Sequence, residues 1–238
     1  MARRGRKSTT SDPASDVLPD LAATGGRWAP LDERQITMIG EAAVEILTTI
    51  GVTDAPNTLV EVIGNAGGKF VGDSLFYPKD LIERAIQDGP DTILLAGQLP
   101  EHDLKVGGTA SYTGTGGAAP NVFDGDKDEY RFSTLADLYA AARLADALPH
   151  IHFFSRSLVA RDVEDPLDFD LATAAASLLG TSKHVMVQAA DSAHVTEIAS
   201  LCYAIAGGED QFRARPFLSL NINHAVPPLR MHIESIQV

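Results

Sequence analysis

Three short apolar runs in the second half of the chain, each closing on polar residues, constrain the fold most. Ile151-His152-Phe153-Phe154 ends in Ser155-Arg156, and His184-Val185-Met186-Val187 ends in Gln188. Phe217-Leu218-Ser219-Leu220 ends in Asn221-Ile222-Asn223. Helical patterns separate them. Strand, polar tip, helix, strand is the signature of parallel α/β units. Such folds carry ligands at the carboxyl ends of their strands. The tips Arg156, Gln188, Asn221 and Asn223 are therefore the first candidate substrate-binding residues.

The unit begins at Ser133-Thr134, where Thr134 and Asp137 form a weak capping box. Leu135, Leu138, Tyr139, Ala142, Leu144 and Ala145 fill that helix, and Pro149 ends it. The pattern then predicts strand 151–154, helix 167–180, strand 184–188, helix 192–206 and strand 217–222. Met231, Ile233 and Ile236 begin another helical pattern that reaches Val238 without a cap. The chain is therefore expected to be a piece of a longer fold, because a barrel or a doubly wound sheet needs more strands.

The first half reads differently. Residues 1–27 are rich in Arg, Ser, Asp, Pro and Gly and are expected to be a disordered basic arm, with Trp28-Ala29-Pro30 docking it onto the body or a partner subunit. Asp32 caps a helix through Ile36, Ile39, Ala43, Leu47 and Ile50, stopped by Gly51. A second helix starts near Pro56-Asn57 and a third at Pro78, with short strands at 70–71 and 75–77 between them. Thr92–Leu95, Leu104–Val106 and the turn at Asp124-Gly125-Asp126-Lys127 predict hairpins outside the α/β repeat. Three regions result: the arm 1–27, helices and hairpins over 28–133, and a parallel α/β region over 134–238.

A net charge of −13 argues against nucleic acid or an anionic membrane surface as partner. No apolar run reaches about 18 residues, and no signal-peptide core follows Lys7. A cytoplasmic protein is expected. The single cysteine, Cys202, sits among Leu201, Tyr203, Ala204 and Ile205 and is expected to be a core residue. No metal site is expected. His150 and His152 share a strand face, but no histidine pair has the spacing of a helical zinc site.

The sharpest local motif is Tyr112-Thr113-Gly114-Thr115-Gly116-Gly117. Glycines there let backbone approach a ligand closely, and Tyr112 offers a ring face to a cation. Tyr112, Gly114, Thr115 and Gly116 join the candidates; a tight structural turn is the competing reading. No Lys-Ser/Thr follows, so it is not a Walker loop. Asp162, Glu164, Asp165, Asp168 and Asp170 form either a charged rim or an acidic loop that attracts a cationic substrate. Arg156 offers a bidentate fork, to that cluster or to a carboxylate. Lys183 and His184 start a strand and rank below the tips. The sequence does not assign a catalytic acid, base or nucleophile.

Several segments in order resemble the trimethylamine methyltransferase family. They are Met1-Ala2-Arg3-Arg4-Gly5-Arg6, the Gly-Thr-Gly-Gly run with an aspartate beyond it, and Ser133-Thr134-Leu135-Ala136-Asp137-Leu138. Next come Ala142-Arg143-Leu144-Ala145-Asp146-Ala147-Leu148-Pro149, Thr181-Ser182-Lys183-His184 and Pro227-Pro228-Leu229-Arg230. The likeness runs from Asp32 to Arg230. It implies a (β/α)8 TIM barrel, partial or complete here and preceded by the helical and hairpin region, in members about twice this length. It also implies transfer of a methyl group from a methylated amine, of the trimethylamine or glycine betaine type, to the cobalt of a separate corrinoid protein. No cofactor is then bound directly; the corrinoid arrives on the partner, and a homo-oligomer is expected. Tyr112, Phe154 and the acidic loop are candidates for holding the ammonium. A non-catalytic binding or scaffold protein on the same fold is the alternative. A third reading is an unrelated α/β enzyme that holds a small anion with Arg156 and the glycine loop.

Overall fold

The computed structural model of this chain describes residues 23–24, 29–233 and 236. The basic tip and Trp28 lie outside the described residues. Within the expected arm, β1 (Ala23–Thr24) is not disordered: it pairs antiparallel with residues 110–111.

Asp32 caps α1 (Glu33–Glu45) through a reciprocal capping box with Gln35, and a π-helical turn over 46–50 carries the helix to Gly51. β2 (Val52–Thr53), α2 (Asn57–Asn65), β3 (Lys69–Val71), β4 (Ser74–Phe76) and α3 (Lys79–Gln87) follow. The small core of this module is Val52, Ile63 and Leu75, with Leu47, Leu59, Val60 and Leu81 against it. The helix at Asp32 forms as its caps dictate, yet no residue of α1 is buried, and Ile36 and Ile39 are exposed. Apolar periodicity located the helix but not a surface that covers it.

β5 (Thr92–Leu95) and β6 (Leu104–Gly107) form one hairpin. β7 (Ala110–Ser111) pairs with β1. β8 (Asn121–Asp124) and β9 (Glu129–Phe132) form a second hairpin. Its turn is the predicted one, with Asp128 at positive φ. Between them the prediction needs correction. Residues 113–119 run parallel beside residues 152–159, with bridges Gly114–Phe153 and Ala119–Leu158. The glycine run thus flanks the parallel sheet. Close approach made this possible: the position of a Cβ on Gly114 is taken by the Phe153 ring.

α4 (Leu135–Ala147), β10 (Phe153–Ser155), α5 (Pro166–Gly180), β11 (His184–Val187), α6 (Ser192–Ala206) and β12 (Leu218–Leu220) form the predicted repeat, with a short α7 (Glu209–Ala214) before β12 that the periodicity did not separate from the loop. The sheet order is β10-β11-β12, all parallel. Alternation divides its faces. Val185, Val187, Leu218 and Leu220 pack against α5 and α6 with Ile198, Cys202 and Phe217. Phe154 packs under α4 with Leu138, Ala142 and Ala145. His184, Met186 and Ser219 take the opposite face. α4 and α5 lie close because Gly180 faces Ala142; a Cβ there would come 2.5 Å from the Ala142 Cβ.

Met231 is strand, and the helical pattern expected from it starts at Ile233, with Ile236 N donating to His232 O at 3.2 Å. β13 (Ala225–Val226) and β14 (Arg230–Met231) form a hairpin whose second strand pairs with β2, giving the sheet order β13-β14-β2-β4-β3. Arg230 Nε donates to Asp54 Oδ2 at 2.7 Å, and Thr53 N donates to Leu229 O at 3.0 Å. Pairing across more than 170 residues takes Met231 into the sheet, and only Ile233 and Ile236 keep the helical pattern. Hydrogen bonds therefore cross position 133 in both directions.

Candidate functional site

Lys183 is 3% exposed and ends α4: its Nζ donates to the carbonyls of Ala145, Leu148 and Ile151 at 2.7, 2.8 and 2.6 Å. Burial pulls its pKa below the usual lysine value, while the Asp146 charge opposes the fall. His184 Nδ1 lies 2.8 Å from Ala96 O, and its Nε2 lies 2.7 Å from Ser219 Oγ. A carbonyl only accepts, so Nδ1 carries the proton and Nε2 accepts from the serine. Burial lowers this imidazole's pKa and keeps it neutral. Arg215 pairs with Asp103, which also accepts from Gly97 N. This amino end of the sheet is closed by structural hydrogen bonds.

The carboxyl end is open. A cavity of about 290 Å³ is lined by Gly117, Ala118, Ser155, Arg156, Met186, Val187, Gln188 and Asn221. Segments after the 113–115 stretch, β10, β11 and β12 each contribute. Arg156 Nη2 donates to Gln188 Oε1 at 2.8 Å, and its guanidinium lies 5.0 Å above the Phe169 ring centre. Burial lowers the Arg156 pKa, with the Asp170 charge opposing; a guanidinium stays protonated through such a change. No carboxylate lines the cavity. Its fixed charge is therefore positive.

Of the predicted candidates, the structure brings Arg156, Gln188 and Asn221 together at this cavity. Asn223 is exposed in the stretch leading to β13 and does not line it. Gly116 precedes the lining residue Gly117, and nothing lies within 4 Å of a Cβ built on it. Thr115 has its hydroxyl committed to β10: Oγ1 donates to Ser155 O at 2.6 Å and accepts from Ser155 N at 2.9 Å. Gly114 serves the packing of Phe153. Tyr112 sits toward the amino end, its hydroxyl donating to Lys105 O and its ring edge-on to His152 at 5.4 Å. Phe154 is fully buried under α4, so it faces away from the cavity.

The acidic segment disperses. Asp162 accepts from Leu135 N and so caps α4 from a distance. Asp165 caps α5, accepting from Leu167 N and Asp168 N. Asp170 is buried and accepts from Ala190 N at 2.8 Å and His194 Nδ1 at 2.7 Å. Glu164 and Asp168 are exposed. Helix N-termini, which carry unpaired N–H groups, use Asp162 and Asp165. Phe169, Met186 and Val187 were not candidates; only the strand-to-helix order gave any signal for them. His150 lies in the turn before β10 and His152 just ahead of the strand, so the two do not share a strand face. Among the described residues no group of three metal-ligating side chains is assembled, and no helix is long and apolar enough to cross a membrane.

The trimethylamine methyltransferase (MTTB) family model matches residues 1–238. Trimethylamine methyltransferase MttB of Desulfitobacterium hafniense (strain DSM 10664 / DCB-2) is 28% identical over 196 residues, which is 82% of this chain and 39% of that protein. Glycine betaine methyltransferase of Desulfitobacterium hafniense (strain Y51) is 25% identical over 198 residues, 83% of this chain and 41% of that protein. The chain spans about two fifths of the length of these curated relatives.

Proposed function

The chain belongs to the trimethylamine methyltransferase family, and we propose that it supplies the amine-holding site of a methyltransferase. The methyl donor is a methylated ammonium, and the acceptor is the cobalt of a corrinoid held by a partner protein. The parallel units over 113–220 form the first part of a (β/α)8 barrel, in which the cavity occupies the functional end. A cavity of about 290 Å³ suits a small amine and is too small for a corrin ring.

The observation that carries the choice of substrate is Arg156. A cavity whose fixed charge is one guanidinium, with no carboxylate in its lining, repels a simple ammonium. It suits a quaternary amine that also bears a carboxylate, of the glycine betaine type. The guanidinium grips the carboxylate, and the Gln188 amide and Phe169 ring hold the guanidinium in plane. Asn221 offers a neutral polar contact. Positioning is the main task for such a site, because the methyl must lie in line between nitrogen and its acceptor. A reduced cobalt on the partner would supply the nucleophile, and the carbon–nitrogen electron pair would leave with the now tertiary amine, whose carboxylate Arg156 would still hold.

The test is methyl transfer followed by absorbance, with reduced corrinoid protein and either glycine betaine or trimethylamine. Demethylation of glycine betaine in preference to trimethylamine supports the reading. Transfer from trimethylamine alone refutes the carboxylate assignment, and binding without transfer to any corrinoid protein favours a non-catalytic binding protein.

A further inference from the structure

We infer that Asp170 and His194 form a positioning couple that sets the charge and the loop geometry of the Arg156 site, and so makes anion binding there depend on pH. This rests on the carboxylate-binding reading of the cavity.

Both partners are held behind the strand tips. Asp170 is 7% exposed and His194 9% exposed. One oxygen, Asp170 Oδ2, takes both Ala190 N at 2.8 Å and His194 Nδ1 at 2.7 Å. Ala190 lies two residues beyond Gln188, whose side chain orients Arg156. Phe169, beneath the guanidinium, is the neighbour of Asp170 on α5. The same turn of α5 therefore holds the β11 loop on one side and supports the arginine on the other.

The charges follow the geometry. Asp170 lies outside the cavity lining and pairs with His194 at 2.7 Å, and its negative charge partly offsets that of Arg156. A protonated His194 offsets Asp170 instead and leaves Arg156 available to a ligand. The groups facing His194 are Asp170 from α5, Asp191 at the head of α6, whose Oδ2 is 3.8 Å from Nε2, and Asp165 at the head of α5. All are anionic. The hydrogen bond to Asp170 first, and these charges after it, raise the His194 pKa above the ordinary imidazole value. Loss of that proton removes one positive charge from beside the site, so anion affinity falls as pH rises through the histidine's pKa.

The experiment uses the unaltered chain. Glycine betaine and tetramethylammonium binding are measured by calorimetry from pH 6 to pH 9, and the imidazole of His194 is titrated by NMR with and without betaine. The expected result is roughly five- to tenfold weaker betaine binding at the high-pH end, and a His194 proton affinity raised by betaine by the same factor, since coupling is reciprocal. Tetramethylammonium, which lacks a carboxylate, should bind no more weakly at high pH. A His194→Gln variant should hold betaine with the weak, pH-independent affinity of the deprotonated form. Equal weakening of both ligands would mean that the pair only props the loop, which overturns the electrostatic role. Betaine binding that needs Arg156 yet ignores pH overturns the inference alone; absence of betaine binding at every pH overturns the carboxylate reading and the inference with it.

Discussion

Arg156 and Gln188 stand 32 residues apart in sequence and meet at the tips of neighbouring strands, Nη2 to Oε1 at 2.8 Å. The bond leaves part of the guanidinium fork facing a cavity that holds no other fixed charge.

Arg156→Ala should therefore weaken glycine betaine binding about tenfold to a hundredfold, the range for a charge-assisted hydrogen bond. Arg156→Lys should recover only part of it, because a lysine lacks the planar fork. Calorimetry with glycine betaine and with trimethylamine checks this; equal losses for both amines would place Arg156 outside carboxylate recognition.

Lys183→Met should destabilise the fold by roughly 2–4 kcal/mol, since three carbonyls at the end of α4 lose a buried charged donor. The midpoint of chemical denaturation reads the loss. A change near zero would mean that water replaces the ammonium.

The glycine run divides into packing and access. Gly114→Ala drives a methyl into the Phe153 ring and should cost about 1–3 kcal/mol. Gly116→Ala meets nothing within 4 Å and should leave stability nearly unchanged. Thermal unfolding of the two variants distinguishes them, and Phe153→Ala should relieve the first by more than additivity allows.

Acid should unfold the chain partly through Asp137. Its carboxylate takes both Arg131 donors, at 2.6 and 2.8 Å, and the Thr134 cap at 2.8 and 2.7 Å. Above all the Arg131 hydrogen bonds hold its pKa well below the carboxylate range. Its contribution is fully present above the unfolded-state pKa and is lost as pH falls through the folded-state value. Denaturation midpoints at pH 5 and pH 3 should fall further in the unaltered chain than in Asp137→Asn. Parallel losses would assign acid sensitivity to other carboxylates.

Elements with local causes were legible in the sequence. Asp32 and Thr134 cap their helices, Gly51 stops one, and the runs at 184–187 and 218–220 extend as strands, as short apolar runs closed by polar residues indicate. Polar tips followed from strand ends, so Arg156, Gln188 and Asn221 were legible as candidates. Which groups share one space follows from packing between distant segments. Tyr112 and Phe154 carry the right chemistry but lie at the wrong end or on the wrong face. Phe169 became a support for Arg156 because helix α5 returns over the tip of β10. Met231 became strand because it pairs with Ala225 in a hairpin that β2, far off in sequence, holds through Arg230 and Thr53. Asp170 acquired its histidine from α6. Local sequence sets caps and periodicity, whereas contacts between distant segments depend on how faces pack, and no window of sequence contains that information.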